Sequence, residues 1–107
     1  KMKLINYKRE DIIRRTGDKL NLTNNEMKLI LDTTLDTIGE MLIEEYSRIR
    51  IELRNFGVFE VKPTKAKPNA RNPKTNKELY VPPRRKIQFR PSKKIKQILN
   101  QEWVDKD

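Results

Sequence analysis

Between Lys62 and Lys96 the chain carries thirteen Lys and Arg side chains against a single acid, Glu78. They are Lys62, Lys65, Lys67, Arg71, Lys74, Lys77, Arg84, Arg85, Lys86, Arg90, Lys93, Lys94 and Lys96. The chemistry open to such a set is electrostatic. Each ammonium or guanidinium can neutralise one phosphate and release its counterions, giving sequence-independent affinity that falls steeply with salt. Burial is closed to the segment, because buried charges need partners and carboxylates are almost absent here. It faces water, or a polyanion.

Catalytic chemistry finds no comparable footing. The chain has no Cys and no His, which removes disulfides, thiolate metal sites and the commonest general base. Glu52, Glu60 and Lys62 fall on adjacent predicted strands, a pattern that could activate water around a divalent ion. No acidic cluster surrounds them, so the expectation is no enzyme, no metal and no cofactor.

The charge is unevenly placed. Residues 1–54 hold eleven basic and ten acidic side chains, whereas residues 55–107 hold fourteen basic and five acidic ones. A net charge of +10 concentrated in one half points to a binding face for DNA, RNA or an acidic membrane surface. With 107 residues and 35% hydrophobic content, the chain is one domain with a thin core, and a partner subunit is expected. No apolar run approaches the roughly 20 residues needed to span a bilayer. The start, Lys1-Met2-Lys3-Leu4-Ile5, is too short and polar for a secretory signal. These features predict a soluble, intracellular protein with no membrane partner and no small-molecule substrate.

The elements that must position the cations follow from periodicity. Ile12, Ile13, Thr16 and Leu20 predict a short helix over 8–20, with no clear N-cap and a weak point at Gly17. Thr23-Asn24-Asn25-Glu26 fits a capping box, with Leu22 and Met27 as a hydrophobic staple. From there Met27, Ile30, Leu31, Leu35, Ile38, Met41, Leu42 and Tyr46 recur at three- and four-residue steps, predicting a long amphipathic helix over 24–46. Its other face carries Lys28, Asp32, Asp36, Glu40 and Glu44, a solvated surface.

The period then becomes two. Ile49, Ile51 and Leu53 alternate with Arg50, Glu52 and Arg54 as in a half-buried strand. Asn55-Phe56-Gly57 makes a turn, and Val58, Phe59 and Val61 begin a second strand, interrupted by Pro63 and Pro68. Leu79, Val81, Ile87 and Phe89 form a returning strand broken at Pro82-Pro83. Ser92 caps a last helix, predicted over 92–103, with Ile95, Ile98, Leu99 and Trp103 on it.

About twenty residues separate Val61 from Pro83, enough for a two-stranded ribbon of roughly 30 Å. With no core of its own, it is expected to be mobile until it meets a ligand. Pro73, between Arg71 and Lys74, is either a turn former or a rigid wedge of the kind that minor-groove proteins insert between base pairs. Composition alone favours the turn.

Phe56-Gly57-Val58-Phe59-Glu60-Val61, Ala70-Arg71-Asn72-Pro73-Lys74-Thr75 and Phe89-Arg90-Pro91-Ser92-Lys93 together resemble the HU/IHF family of bacterial histone-like, DNA-bending proteins. The element order is similar over residues 8–100. The resemblance implies an α+β fold of two N-terminal helices, a three-stranded antiparallel sheet with a long protruding β-ribbon arm, and a short C-terminal helix. It implies an intertwined dimer whose 8–46 segment forms a helical base and whose 49–90 segment carries the sheet and an arm at 62–83.

On that resemblance Pro73 is the intercalating residue. DNA contacts are expected from Lys62, Lys65, Lys67, Arg71, Asn72, Lys74, Thr75 and Lys77 on the arm. Arg84, Arg85, Lys86, Arg90 and Lys93 are expected to hold DNA on the body. Three positions depart from the family pattern: Asn76 and Asn55 stand where Gly is usual, and Ser92 replaces Gly before Lys93.

The dimer is also expected from the chain itself, because its apolar surface exceeds what one copy can cover. Leu31, Leu35, Ile38, Leu42, Leu53, Phe56, Phe59 and Phe89 are read as dimer core rather than as a base-stacking platform. The expected partners are double-stranded DNA and a second subunit, with a homodimer favoured over a heterodimer. The expected location is the nucleoid in the cytoplasm. An RNA-binding module with the same basic surface is the alternative, although Tyr80 is the only aromatic it could offer for stacking.

Overall fold

The computed structural model describes residues 3–106. They divide into two compact units, one holding the residues up to Glu44 with those from Glu102 on, the other Glu45–Gln101.

In the first unit, helix α1 spans Arg9–Leu20. Its N-terminus is closed by Asp11, whose Oδ2 accepts the Lys8 backbone N–H at 2.9 Å. This is why no Ser, Thr or Asn is needed at the cap. The acids Glu10 and Asp11 in the first turn also complement the helix dipole. The helix ends as Asn21 turns into the left-handed region at φ 57°, and Leu22 N–H returns to Gly17 O at 2.9 Å. Gly17, an expected weak point, is a packing position. It is buried, and a Cβ there would lie 3.0 Å from Leu22 O and 3.4 Å from Met27 Cγ.

Helix α2 spans Asn24–Leu42. The predicted capping box is present: Glu26 N–H donates to Thr23 Oγ1 at 3.2 Å, and Thr23 N–H donates to Glu26 Oε1 at 2.9 Å. The helix stops four residues before Tyr46, where the apolar period alone would have carried it. Glu44 and Glu45 would place two carboxylates against the negative end of the helix dipole, and no basic residue occupies its last turn. Ile13 and Met27 are the buried apolar side chains between the two helices.

The second unit holds an antiparallel sheet ordered β1-β2-β5, built from Ile49–Leu53, Gly57–Pro63 and Arg85–Pro91. A separate two-stranded sheet pairs β3, Lys67–Arg71, with β4, Glu78–Val81. The register Ile49↔Val61, Ile51↔Phe59 and Leu53↔Gly57 continues to Ile87 and Phe89 on β5. Strand alternation therefore places one apolar face on the sheet and one polar face. Gly57 is required for that apolar face: a Cβ there would stand 2.6 Å from the Phe89 ring and 2.5 Å from Arg90 O. Phe89 in turn packs on Phe59 and Phe56, with centroids 4.8 and 5.4 Å apart.

Helix α3 spans Lys93–Leu99, shorter than the predicted 92–103. Ser92 caps it by accepting Ile95 N–H. Trp103 lies beyond its end and is exposed, so no burial offsets the entropy of ordering another turn. Among the described residues, no helix is long and apolar enough to cross a membrane.

Candidate nucleic-acid interface

The polar face of the sheet carries Lys62, Lys86 and Arg90 among the body cations. The pairs Arg50↔Glu60↔Gln88, Glu52↔Val58↔Arg90 and Lys62↔Lys86 lie along it. Lys62 directly opposite Lys86 is a like-charge cross-strand pair, which destabilises a sheet unless an anion meets it. Glu60 supplies part of that anion. Its carboxylate is largely covered, accepts a hydrogen bond from Arg90 and lies 3.6 Å from Lys62. The trio keeps one net positive charge and fixes two long side chains in place.

At the edge of this face, Ser92 ties the start of α3 to the β1–β2 turn. Its N–H donates to Phe56 O at 2.8 Å and its Oγ donates to Asn55 O at 3.1 Å. Asn55 adopts φ 66°, the left-handed conformation that Asn tolerates better than most residues. Lys93, the first residue of α3, and Arg90 are thereby positioned on one rigid junction. Arg85 reaches back to donate to Tyr46 O at 2.9 Å, so its guanidinium is held by the chain segment preceding β1.

The ribbon leaves the sheet through a neck formed by Thr64 and Arg84. Thr64 N–H donates to Arg84 O at 2.6 Å, and Arg84 N–H donates to Thr64 Oγ1 at 2.8 Å. Beyond it Lys65 and Lys67 lead into β3, whose pairing with β4 shifts register between Lys67 and Ala70. Ala70, Leu79 and Val81 share one ribbon face, while Arg71, Glu78 and Tyr80 share the other.

The ribbon closes over Pro73. Asn72 N–H donates to Lys77 O at 2.9 Å, and Asn76 N–H donates to Asn72 O at 2.7 Å. Asn72 Oδ1 accepts Lys74 N–H at 3.0 Å, a side-chain turn that starts the reversal. Thr75 Oγ1 accepts Lys77 N–H at 3.4 Å, and Asn76 completes the turn at φ 56°. Arg71 folds over this loop, 3.2 Å from Asn76 O and 3.5 Å from Glu78. Pro73 is exposed at the turn.

The predicted residues thus fall into two groups. Pro73 with Arg71, Asn72, Lys74, Thr75 and Lys77 forms the ribbon tip. Lys62, Arg85, Lys86, Arg90 and Lys93 lie on the sheet and its helix junction, while Arg84 stands at the neck and Lys65 and Lys67 at the base of the ribbon. Asn72 and Thr75, expected as DNA contacts, have side-chain oxygens committed to the turn. The structure adds three positioning residues: Glu60, Thr64 and Ser92 in its second role as a clamp. A threonine directly after Pro63, facing an arginine directly after Pro82-Pro83, was the visible signal for the neck.

The predicted dimer positions are incompletely covered in the single chain. Leu35 and Phe56 are each 50% exposed and Phe89 is 41% exposed. Leu31, Ile38, Leu42, Leu53 and Phe59 are of intermediate burial. Among the described residues only Ile13, Met27 and Val61 are buried apolar side chains.

Comparison with known proteins agrees in its extent with this architecture. A family model described as bacterial DNA-binding protein matches residues 7–100. The DNA-binding protein HU of Thermotoga maritima is 34% identical over 89 residues, covering 83% of this chain and 94% of that protein. The integration host factor subunit alpha of Myxococcus xanthus is 37% identical over 97 residues, covering 91% of this chain and 72% of the relative. An Anabaena HU–DNA cocrystal structure superposes with a TM-score of 0.76 at 25% identity, over 90% of this chain and 100% of that one.

Proposed function

The chain belongs to the HU/IHF family of bacterial DNA-binding proteins, architectural and non-enzymatic, and we propose that it bends duplex DNA from the minor groove by inserting Pro73. The observation that carries this reading is the ribbon tip. A rigid apolar ring stands exposed on a turn closed by Asn72 and Asn76, with Lys74 and Lys77 beside it.

A wedge needs three things, and the chain offers a residue set for each. It needs a stiff apolar side chain, because a flexible one would lose the ordering entropy that intercalation demands; proline has almost none to lose. It needs the surrounding backbone held, which the Asn72, Thr75 and Asn76 bonds do. It needs affinity to offset unstacking, which costs a few kcal/mol per step. The cations along the ribbon and on the polar sheet face supply that through phosphate neutralisation.

Two ribbons on one duplex require two subunits. The half-exposed Leu35 on the helical unit, and Phe56 and Phe89 on the sheet unit, support an intertwined dimer, because each unit of so small a chain leaves apolar side chains that call for a partner. A homodimer is the simpler arrangement, since a two-fold axis lets the same patch cover itself. DNA bound and bent in this way, with specificity arising through duplex deformability, would serve compaction in the nucleoid.

The reading is tested by energy transfer across an end-labelled duplex with Pro73→Ala, beside a competition between duplex DNA and duplex RNA. The bend should fall by about 20° or more per arm, while affinity drops less than about fivefold, because the phosphate contacts persist. An unchanged bend removes the wedge role. Equal or tighter binding of RNA favours the RNA-module alternative.

A further inference from the structure

We propose that Asn76 selects the base pair beside the Pro73 kink, favouring pairs that lack an amino group in the minor groove; this rests on the wedge reading above. Arg71 Nη1 lies 3.2 Å from Asn76 O and 3.5 Å from Asn76 Oδ1. A guanidinium has only donors, so the amide of Asn76 must turn its oxygen toward Arg71 and its nitrogen away. Glu78, 3.5 Å from Arg71 Nη2, holds the guanidinium from the other side and fixes that choice.

The consequence is a donor of known polarity beside the wedge. Asn76 Nδ2 has two N–H groups and donates to none of the described residues of the arm. Asn72 repeats the arrangement across the turn, since its Oδ1 is occupied by Lys74 N–H at 3.0 Å. The backbone bond from Asn76 N–H to Asn72 O, 2.7 Å long, keeps both amides at the base of the Pro73 turn.

The minor groove reads such a donor in one way. An A·T pair presents only the acceptors adenine N3 and thymine O2, whereas G·C adds the guanine N2 amino donor. A fixed amide donor meets an acceptor in the first case and another donor in the second. The difference is about one net hydrogen bond, which corresponds to roughly three- to tenfold in affinity. Asn76 is therefore a specificity-determining residue on an arm whose lysines are indifferent to sequence.

The test uses the full chain and duplexes in which two unpaired thymines fix where the kinks form. The flanking pair is A·T, G·C or inosine·C, the last lacking only the guanine amino group. The unmodified protein should bind the A·T and inosine·C duplexes alike, and about three- to tenfold more tightly than G·C. Asn76→Gly, which accepts the left-handed turn, should cut that ratio at least in half. Asn76→Asp keeps the shape but offers acceptors alone, and should shift preference toward G·C. Equal binding of all three duplexes by the unmodified protein, or an undiminished ratio in Asn76→Gly, overturns the assignment. Bend angles measured in parallel separate the two readings. A bend that does not depend on Pro73 removes the wedge and this inference with it. A Pro73-dependent bend with no base preference removes only the role of Asn76.

Discussion

Thr64 and Arg84 bond to each other in both directions at the neck of the ribbon, with Thr64 N–H on Arg84 O and Arg84 N–H on Thr64 Oγ1. The hydroxyl also donates to Arg84 O at 3.2 Å. Prolines flank both strands here, at Pro63 on one side and Pro82-Pro83 on the other, so the backbone supplies only the bond from Thr64 N–H and the ladder stops there. The Thr64 hydroxyl supplies the return bond from Arg84 N–H and so holds the two strands together where the ribbon leaves the sheet.

Thr64→Val retains the branched shape and removes the hydroxyl. An exposed hydrogen bond contributes about 0.5–1.5 kcal/mol, so the sheet should stay folded while the neck loosens. Amide exchange at Arg84 should accelerate, and DNA affinity should fall by about two- to tenfold as the two strands lose that hold at the base of the arm. Unaltered exchange at Arg84 would show that the hydroxyl does not hold the neck.

Glu60 sets a second relationship, because its carboxylate competes with phosphate for Arg90 and Lys62. Glu60→Gln should raise DNA affinity at low salt by several-fold, and should steepen the dependence of log affinity on log salt by about one. The same change should lower the stability of the free protein, since Lys62 and Lys86 then face each other without a nearby anion. Titration of a duplex at three salt concentrations reads the slope. A slope equal to that of the unmodified chain would mean that Glu60 remains paired in the complex.

The helix starts carry a pH dependence of definite sign. Asp11 is held below its ordinary 3.8, chiefly by accepting the Lys8 backbone N–H, with burial opposing and Arg14 reinforcing. Glu26 is held below its ordinary 4.5 by the Thr23 backbone N–H and then the Thr23 hydroxyl. A carboxylate whose pKa is depressed on folding stabilises the fold above its unfolded value, and that contribution disappears as pH falls through the folded value. The first unit should therefore lose stability as pH drops from about 5 toward 2. Asp11→Asn with Glu26→Gln should lie below the unmodified protein at neutral pH and converge with it in acid. Denaturant midpoints that fall in parallel for both proteins across this range would place the acid sensitivity elsewhere.

The signals legible in the sequence are those with a short-range cause. Thr23 and Glu26 announce the start of α2 because the capping box is closed within four residues, and Ile49, Ile51 and Leu53 announce β1 because alternation is local. The end of α2 is not legible from the period, since Tyr46 keeps the apolar spacing after Glu44 and Glu45 have made further helix unfavourable. Glu60, Thr64 and Ser92 were hidden for another reason. Their partners, Arg90, Arg84 and the Asn55-Phe56 backbone, lie 20 or more residues away in the chain. Pro73 stood out because it is apolar within a cationic run, but its enclosure by Asn72 and Asn76 is a tertiary fact of the turn.

The partner subunit gives the last prediction. Leu35 lies on the α2 face that also carries Leu31, Ile38 and Leu42, and half its surface is exposed in the single chain. Leu35→Lys should cost the isolated subunit little, because a lysine stem can lie along the helix with its ammonium in water. In a two-fold dimer the substitution occurs twice, removing roughly half of the 1.5–3 kcal/mol of a fully buried leucine per copy and placing two charges near one another. Sedimentation at micromolar concentration should show a shift toward the monomer, and the melting temperature should fall and become less dependent on protein concentration. DNA affinity should fall further than the loss of half the cations predicts, because two linked arms bind with an effective concentration that separate subunits lack. A Leu35→Lys protein with unchanged mass, melting temperature and DNA affinity would mean that this face of α2 is not the dimer core, and that the second ribbon must be recruited through another surface.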